Sequence, residues 1–244
     1  VIARAYGSGD PRTVVVPGLG ATAGEARIPA SGLPGTRIVL TLPSHADAAD
    51  APLDYWHYPT IADDVAAALD GARQAVGVSL GAGALSNLAS RSPDVLDRLV
   101  LMLPAALTKP RPSASAEHVL EMSTAALNAD RASLRALVAA DAPEGLDDYV
   151  DDRTDALLRL GPALDAVATQ IPVPDPSALM HVTAEVLVVA ATGDLLHPAE
   201  TARETVAAFP KATLVQFDSA APMVTHRREL RALLVDFLGV RSAG

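Results

Sequence analysis

The sequence predicts an α/β fold: a mostly parallel central sheet flanked by helices, carrying an inserted helical cap. Three observations point there. Short, continuous apolar runs recur along the chain, as in strands buried on both faces. Helical patterns separate most of these runs, the alternation expected of right-handed crossovers. One long stretch, 111–181, breaks that alternation with helical patterns alone.

The elements follow in order. Runs rich in β-branched residues and leucine at 13–16 and 37–42 are the first two strands. The next helix starts at Thr60-Ile61-Ala62-Asp63, a capping-box-like pattern ahead of the apolar residues 65–69. A strand over 75–78 runs straight into a helix over 79–90, and a fourth strand covers 99–103. A proline-rich passage from Pro104 to Pro112 follows, then helical patterns at 116–127, 132–139 and 146–160. Strand character returns at 186–190, a helix covers 199–209, a last strand 213–217, and a helix over 225–238 closes the series. The expected division is a core of residues 1–110 and 182–244 with a helical cap over 111–181. No internal repeat interrupts it.

Composition narrows the function. A length of 244 residues suits one large core with a small insertion. Only 3% of the residues are aromatic, so the core rests on Ala, Val and Leu and offers few walls for stacking flat ligands. The formal charge is −10, and Lys109 and Lys211 are the only lysines. An acidic chain without a basic stripe is a poor partner for nucleic acid; Arg227, Arg228 and Arg231 read as a solvated helix face. With no cysteine, zinc–thiolate sites, disulfides and thiol catalysis are excluded. No apolar run reaches membrane-span length and no signal-peptide pattern opens the chain, so a soluble, cytoplasmic protein is expected.

The most informative segment is Gln74-Ala75-Val76-Gly77-Val78-Ser79-Leu80-Gly81-Ala82-Gly83: Gly-x-Ser-x-Gly at a strand–helix junction. The chemistry explains the spacing. A nucleophilic hydroxyl must stand clear of the sheet, so the chain turns sharply at Ser79, and Gly77 and Gly81 remove side chains that would collide. The turn also directs the Leu80 N–H, at a helix N-terminus, toward an oxyanion.

With this motif and its context the chain resembles the α/β-hydrolase superfamily over nearly its whole length. Val14-Val15-Val16-Pro17-Gly18-Leu19-Gly20 resembles the family's first-loop motif, with Pro17 in place of the usual histidine, and the resemblance gives Leu19 the second oxyanion N–H. Leu42-Pro43-Ser44-His45-Ala46-Asp47 is similar to a Pro-Gly-His-Gly segment, which makes His45 structural. The segment 113–181 falls where the family inserts its cap. Gly18-Leu19-Gly20-Ala21-Thr22-Ala23 also mimics a dinucleotide fingerprint, but Pro29, Gly32, Pro34 and Gly35 leave no room for the helix that fingerprint opens. The second strand also ends Thr41-Leu42-Pro43, without the ribose-binding acid. The dinucleotide reading fails.

The family's chain order is nucleophile, acid, histidine. The strand ending Ala190-Ala191 followed by Thr192-Gly193-Asp194-Leu195-Leu196-His197-Pro198 resembles its acid loop, which implies Asp194 as the acid. His197 is assigned to the same loop as a supporting residue, too close to Asp194 in sequence to reach Ser79. The family's histidine should follow the last strand. Counting back from Asp236-Phe237-Leu238, that slot holds Ala220, and His226 falls further on, in the first turn of a helix. Three arrangements fit. Ala220 replaces the general base by substitution, the arrangement the sequence favours; or the chain naturally lacks a base and binds ligands or performs non-hydrolytic, lyase-like chemistry; or His226 completes the triad from a remodelled loop.

The expected activity is that of an esterase, lactonase or thioesterase: acyl transfer from a small-molecule acyl substrate to water through Ser79, with Leu19 and Leu80 holding the oxyanion. No metal or organic cofactor, nucleic acid or membrane partner is implied. The acidic cap disfavours strongly anionic substrates. The Tyr55-Trp56-His57-Tyr58 cluster is either a pocket mouth or an aromatic staple beneath the Thr60 helix.

Overall fold

The computed structural model describes residues 1–52 and 54–239. The chain opens with β1 (Ile2–Tyr6), β2 (Arg12–Val16), a 3₁₀ turn at Glu25–Ala30 and β3 (Thr36–Thr41). Then come α1 (Tyr58–Leu69), β4 (Gln74–Val78), α2 (Leu80–Arg91) and β5 (Arg98–Met102). Four helices follow: α3 (Ser113–Leu127), α4 (Arg131–Asp141), α5 (Asp147–Leu158) and α6 (Gly161–Thr169). The chain returns through a 3₁₀ turn at Pro176–His181 to β6 (Glu185–Ala191), α7 (Ala199–Ala208), β7 (Ala212–Phe217), α8 (Pro222–Thr225) and α9 (Arg227–Gly239).

The seven strands form one sheet in the order β1-β3-β2-β4-β5-β6-β7, antiparallel at β1–β3 and parallel elsewhere. Period-two alternation divides the core between the two faces. Val14, Val16, Leu99, Leu101, Val186 and Val188 belong to one core with residues of α1, α2 and α3 to α6. Val15, Val100, Met102, Leu187 and Val189 pack with Leu230, Leu234 and Leu238 of α9. Both faces are therefore covered, which is why these strands read as unbroken apolar runs. Gln74, at the start of β4, donates from its amide to the Leu238 carbonyl and accepts from Thr13, tying α9 to the sheet.

Several elements differ from expectation. β1 was not expected. It is an edge strand whose exposure alternates with Arg4 between Ile2 and Tyr6, so it has no apolar run to read. α1 starts at Tyr58 with Pro59 in its first turn, a position where proline loses no hydrogen bond, and not at a Thr60 cap. The closing helix is broken at His226 into α8 and α9. The aromatic cluster is a staple: Tyr55, Trp56 and Tyr58 are buried, and the Tyr55 hydroxyl donates to Asp64 of α1. Gln170, just past α6, donates to the Trp56 carbonyl and accepts from the Tyr58 N–H, fastening the end of α6 to this corner. No helix among the described residues is long and apolar enough to cross a membrane.

Candidate active site

β4 lies in the middle of the sheet, and Ser79 follows its carboxyl end, where parallel sheets of this kind place ligands. Ser79 has φ 51° and ψ −109°, a conformation L-residues rarely adopt. The turn is held by the Ser79 N–H to the Met102 carbonyl (2.9 Å) and by the Gly83 N–H back to the Ser79 carbonyl (3.1 Å). The glycines are required by close approach. A Cβ on Gly77 would lie 2.5 Å from the Gly81 carbonyl, and one on Gly81 would lie 2.3 Å from the Val16 carbonyl oxygen. Both contacts are with backbone, which cannot swing aside.

The imidazole missing from the Ala220 position comes from the acid loop. His197 Nε2 is 2.8 Å from Ser79 Oγ, and His197 Nδ1 is 2.7 Å from Asp194 Oδ2. The carboxylate can only accept, so Nδ1 carries the proton and Nε2 is left to accept from the serine hydroxyl. The expectation that His197 sits too near Asp194 to reach Ser79 is therefore wrong, and sheet geometry gives the reason. Neighbouring strands stand about 4.8 Å apart. β6 is two strands from β4, whereas β7, which carries the expected slot, is three away. The loop after β6 thus starts nearer the serine.

Asp194 folds this loop around itself. Its Oδ1 accepts from the Leu196 N–H (2.9 Å) and the His197 N–H (3.1 Å), bringing the imidazole back onto Oδ2. Burial pushes the Asp194 carboxyl up, but the charge and hydrogen bonds of His197 and the two backbone donors outweigh it, and the net shift is downward. Both side chains are nearly buried, at 12% exposure for His197 and 11% for Asp194.

Ala220 lines the cavity over Ser79 but faces a serine that already has its imidazole. His226 is turned away from the site. Its Nδ1 pairs with the Thr225 hydroxyl (2.8 Å), and its ring packs on Phe217, centroids 5.4 Å apart. The side chain placed at Ser79 Oγ is thus His197, and neither Ala220 nor His226 bonds to it.

Leu19 lines the cavity beside Ser79, and its N–H has no partner among the described residues. Leu80 is the first residue of α2, where the helix does not use its N–H. His45 fixes the loop that carries Leu19. Its Nε2 accepts from the Gly20 N–H (2.8 Å) and its Nδ1 lies 2.9 Å from the Pro43 carbonyl, an arrangement that needs the neutral ring. Burial holds its pKa below the ordinary value for histidine.

Two cavities meet at Ser79. The outer one, about 140 Å³, reaches Ala220 and Met223 and is walled by three carboxylates, Glu25, Asp141 and Asp194, with Arg153. The inner one, about 40 Å³, is walled by α3, α5 and α6 and contains Arg111 and Arg153 but no carboxylate. Neither arginine was singled out from sequence. Arg111 lies in the proline-rich passage, where Pro110-Arg111-Pro112 was the only signal.

No family model matches the chain, and no curated protein sequence matches it significantly. Solved structures do resemble it. An esterase from Exiguobacterium antarcticum superposes with a TM-score of 0.81 at 17% identity, covering 98% of this chain and 95% of the other. The enol-lactonase from Burkholderia xenovorans LB400 gives 0.77 at 19% identity, covering 98% and 96%. An α/β hydrolase enzyme from a Medee basin deep-sea metagenome library gives 0.80 at 15% identity, covering 100% and 95%. Sheet order, elbow and these superpositions agree: the chain has the α/β-hydrolase fold.

Proposed function

We propose that the chain is a serine hydrolase of carboxylic esters, lactones or thioesters, working through an acyl-enzyme with Ser79 as nucleophile, His197 as general base and Asp194 as the group that orients it. The observation that carries this reading is the continuous relay from Ser79 Oγ to His197 Nε2 and from Nδ1 to Asp194, on a strained strand–helix turn. Ser79 Oγ attacks the carbonyl carbon while its proton passes to His197 Nε2. The carbonyl electrons collect on the oxygen, facing the Leu19 and Leu80 N–H groups. His197 then returns the proton to the departing oxygen or sulfur, and water repeats the sequence against the acyl-serine. The anionic Asp194, held below the ordinary carboxyl range, stabilises the imidazolium in both halves. The four inserted helices act as the cap that closes the acyl side, since residues of this segment wall both cavities.

A fluorophosphonate probe with mass-spectrometric site mapping tests the reading. Labelling of Ser79, together with turnover of 4-nitrophenyl butyrate that disappears in Ser79→Ala, is expected. Absence of labelling in folded protein refutes it.

A further inference from the structure

Arg111 is a charged residue in an unusual position. It is 9% exposed, lies next to Ser79 and His197 in the inner cavity, and forms no ion pair among the described residues. Its Nη1 donates to the Leu196 carbonyl (3.0 Å), its Nε reaches the Val167 carbonyl at 3.5 Å, and its Nη2 makes no hydrogen bond among the described residues. A guanidinium withdrawn from water is unfavourable unless a charge compensates it. Burial pulls Arg111 below its ordinary pKa, and the groups opposing that pull, Tyr58 and Asp194, are not bonded to it. Arg153 brings a second guanidinium to the same cavity. Its Nη1 reaches the Gly20 carbonyl at 3.5 Å and lies 3.6 Å from Glu25, and Tyr149, Asp141 and Asp194 add to the field that keeps this second guanidinium charged, so Arg111 is the less compensated of the two. The remaining walls include Val119, Met122, Leu157 and Leu164. An apolar chamber with two cations, no carboxylate and a nucleophile at its mouth is shaped for an anion tethered to the reacting carbonyl.

We infer that the inner cavity binds a carboxylate at the end of a short acyl chain, with Arg111 as its main partner, so that the substrates are half-esters, thioesters or lactones of short dicarboxylic acids. This rests on the Ser79 hydrolase reading and specifies its substrate. The size agrees. At about 40 Å³ the cavity is well above the roughly 10–15 Å³ that a single water needs and is small enough to select a compact group such as a carboxylate. The acidic character of the insertion does not oppose it. Asp147, Asp151 and Asp155 pair outward with Arg131 and Arg135 in exposed ion pairs, away from this chamber.

The test compares monoethyl succinate with ethyl butanoate by proton release at constant pH, in the unaltered chain, Arg111→Gln and Arg111→Lys. A charge-assisted hydrogen bond supports a kcat/KM preference for the succinate half-ester of at least about tenfold. That preference should collapse toward unity in Arg111→Gln and survive in part in Arg111→Lys. Equal turnover of both esters by the unaltered chain overturns the inference. So does an unchanged preference in Arg111→Gln with both rates lowered together, because Arg111 would then act only by holding the Leu196 carbonyl. Absence of any Ser79-dependent turnover would be a failure of the hydrolase reading, separate from this one. Calorimetric titration of succinate needs no turnover and decides that case: binding weakened at least about tenfold in Arg111→Gln supports the anion site, and no binding to the unaltered chain overturns it.

Discussion

Replacing His197 by alanine is the sharpest perturbation of the site. It removes the acceptor 2.8 Å from Ser79 Oγ and leaves no substitute. His45 has both ring nitrogens engaged with Gly20 and Pro43, and His226 is held by Thr225 and Phe217. Loss of the histidine from a comparable serine triad costs on the order of a millionfold in kcat, or about 8 kcal/mol of transition-state stabilisation. The oxyanion donors should leave a slow residual rate. The fold should suffer far less. Asp194 keeps its two backbone donors and loses its imidazole partner, about 1–3 kcal/mol, which lowers the melting temperature by roughly 2–12 °C in a chain of this size. The assay is turnover of 4-nitrophenyl butyrate beside a thermal melt, with His226→Ala and Ala220→His as companions. His226→Ala should remain near the unaltered rate. Ala220→His should give no gain, since its imidazole would enter the outer cavity facing a serine already paired. A folded His197→Ala that keeps a tenth of the activity, or an equal collapse in His226→Ala, would refute the assignment.

Three further outcomes are expected. Asp194→Asn keeps an oxygen for the two backbone N–H donors but loses the anion under the imidazole, so kcat should fall about ten-thousandfold with little change in melting temperature; activity within tenfold of normal would contradict the role of Asp194. His45 titrates below its unfolded value near 6.5 because burial disfavours its charged form. The unfolded chain then binds more protons below that pH, so its contribution is present above about 6.5 and declines as pH falls, by at most about 1.4 kcal/mol per unit. The urea midpoint should drop between pH 7 and 5 and do so less steeply in His45→Gln, while parallel slopes would show that His45 is not the titrating group. Gly81→Ala sets a Cβ against the Val16 and Pro17 carbonyl oxygens and should cost about 1–3 kcal/mol or more, with activity falling as the elbow shifts. Gly24→Ala, where a Cβ meets only the Thr22 hydroxyl at 3.7 Å, should be close to neutral by the same melt.

What could be read from the sequence follows the physics of each element. Buried parallel strands announce themselves by apolar runs, so β2 to β7 were visible, whereas β1 alternates at an edge and was not. Ser79 was legible because its backbone geometry admits only glycine at Gly77 and Gly81, so the constraint is written into the chain. The His197 contact was not legible, because it depends on the distances between strand ends, a property of sheet order. Chain order placed the base after β7, and only the finished sheet shows the β6 loop to be closer to β4. The one sequence signal was the nearness of His197 to Asp194, which counted against it and is the spacing that a self-capped turn exploits. Arg111 was hidden for a different reason. Charge counted along the insertion is dominated by carboxylates, and only the fold separates those facing water from the guanidiniums facing Ser79.

In the proposed assignment acid and imidazole lie three residues apart on the loop after β6, so the sheet margin beyond that strand carries neither. β7 is the last strand and is only half-buried, and margins of this kind fray first in local opening. An imidazole carried after β7 would be displaced by every such excursion. The loop after β6 instead springs from a strand paired on both sides, and its turn is closed by the carboxylate itself. Hydrogen exchange along β7 can therefore run faster than along β6 while the alignment of His197 on Ser79 persists.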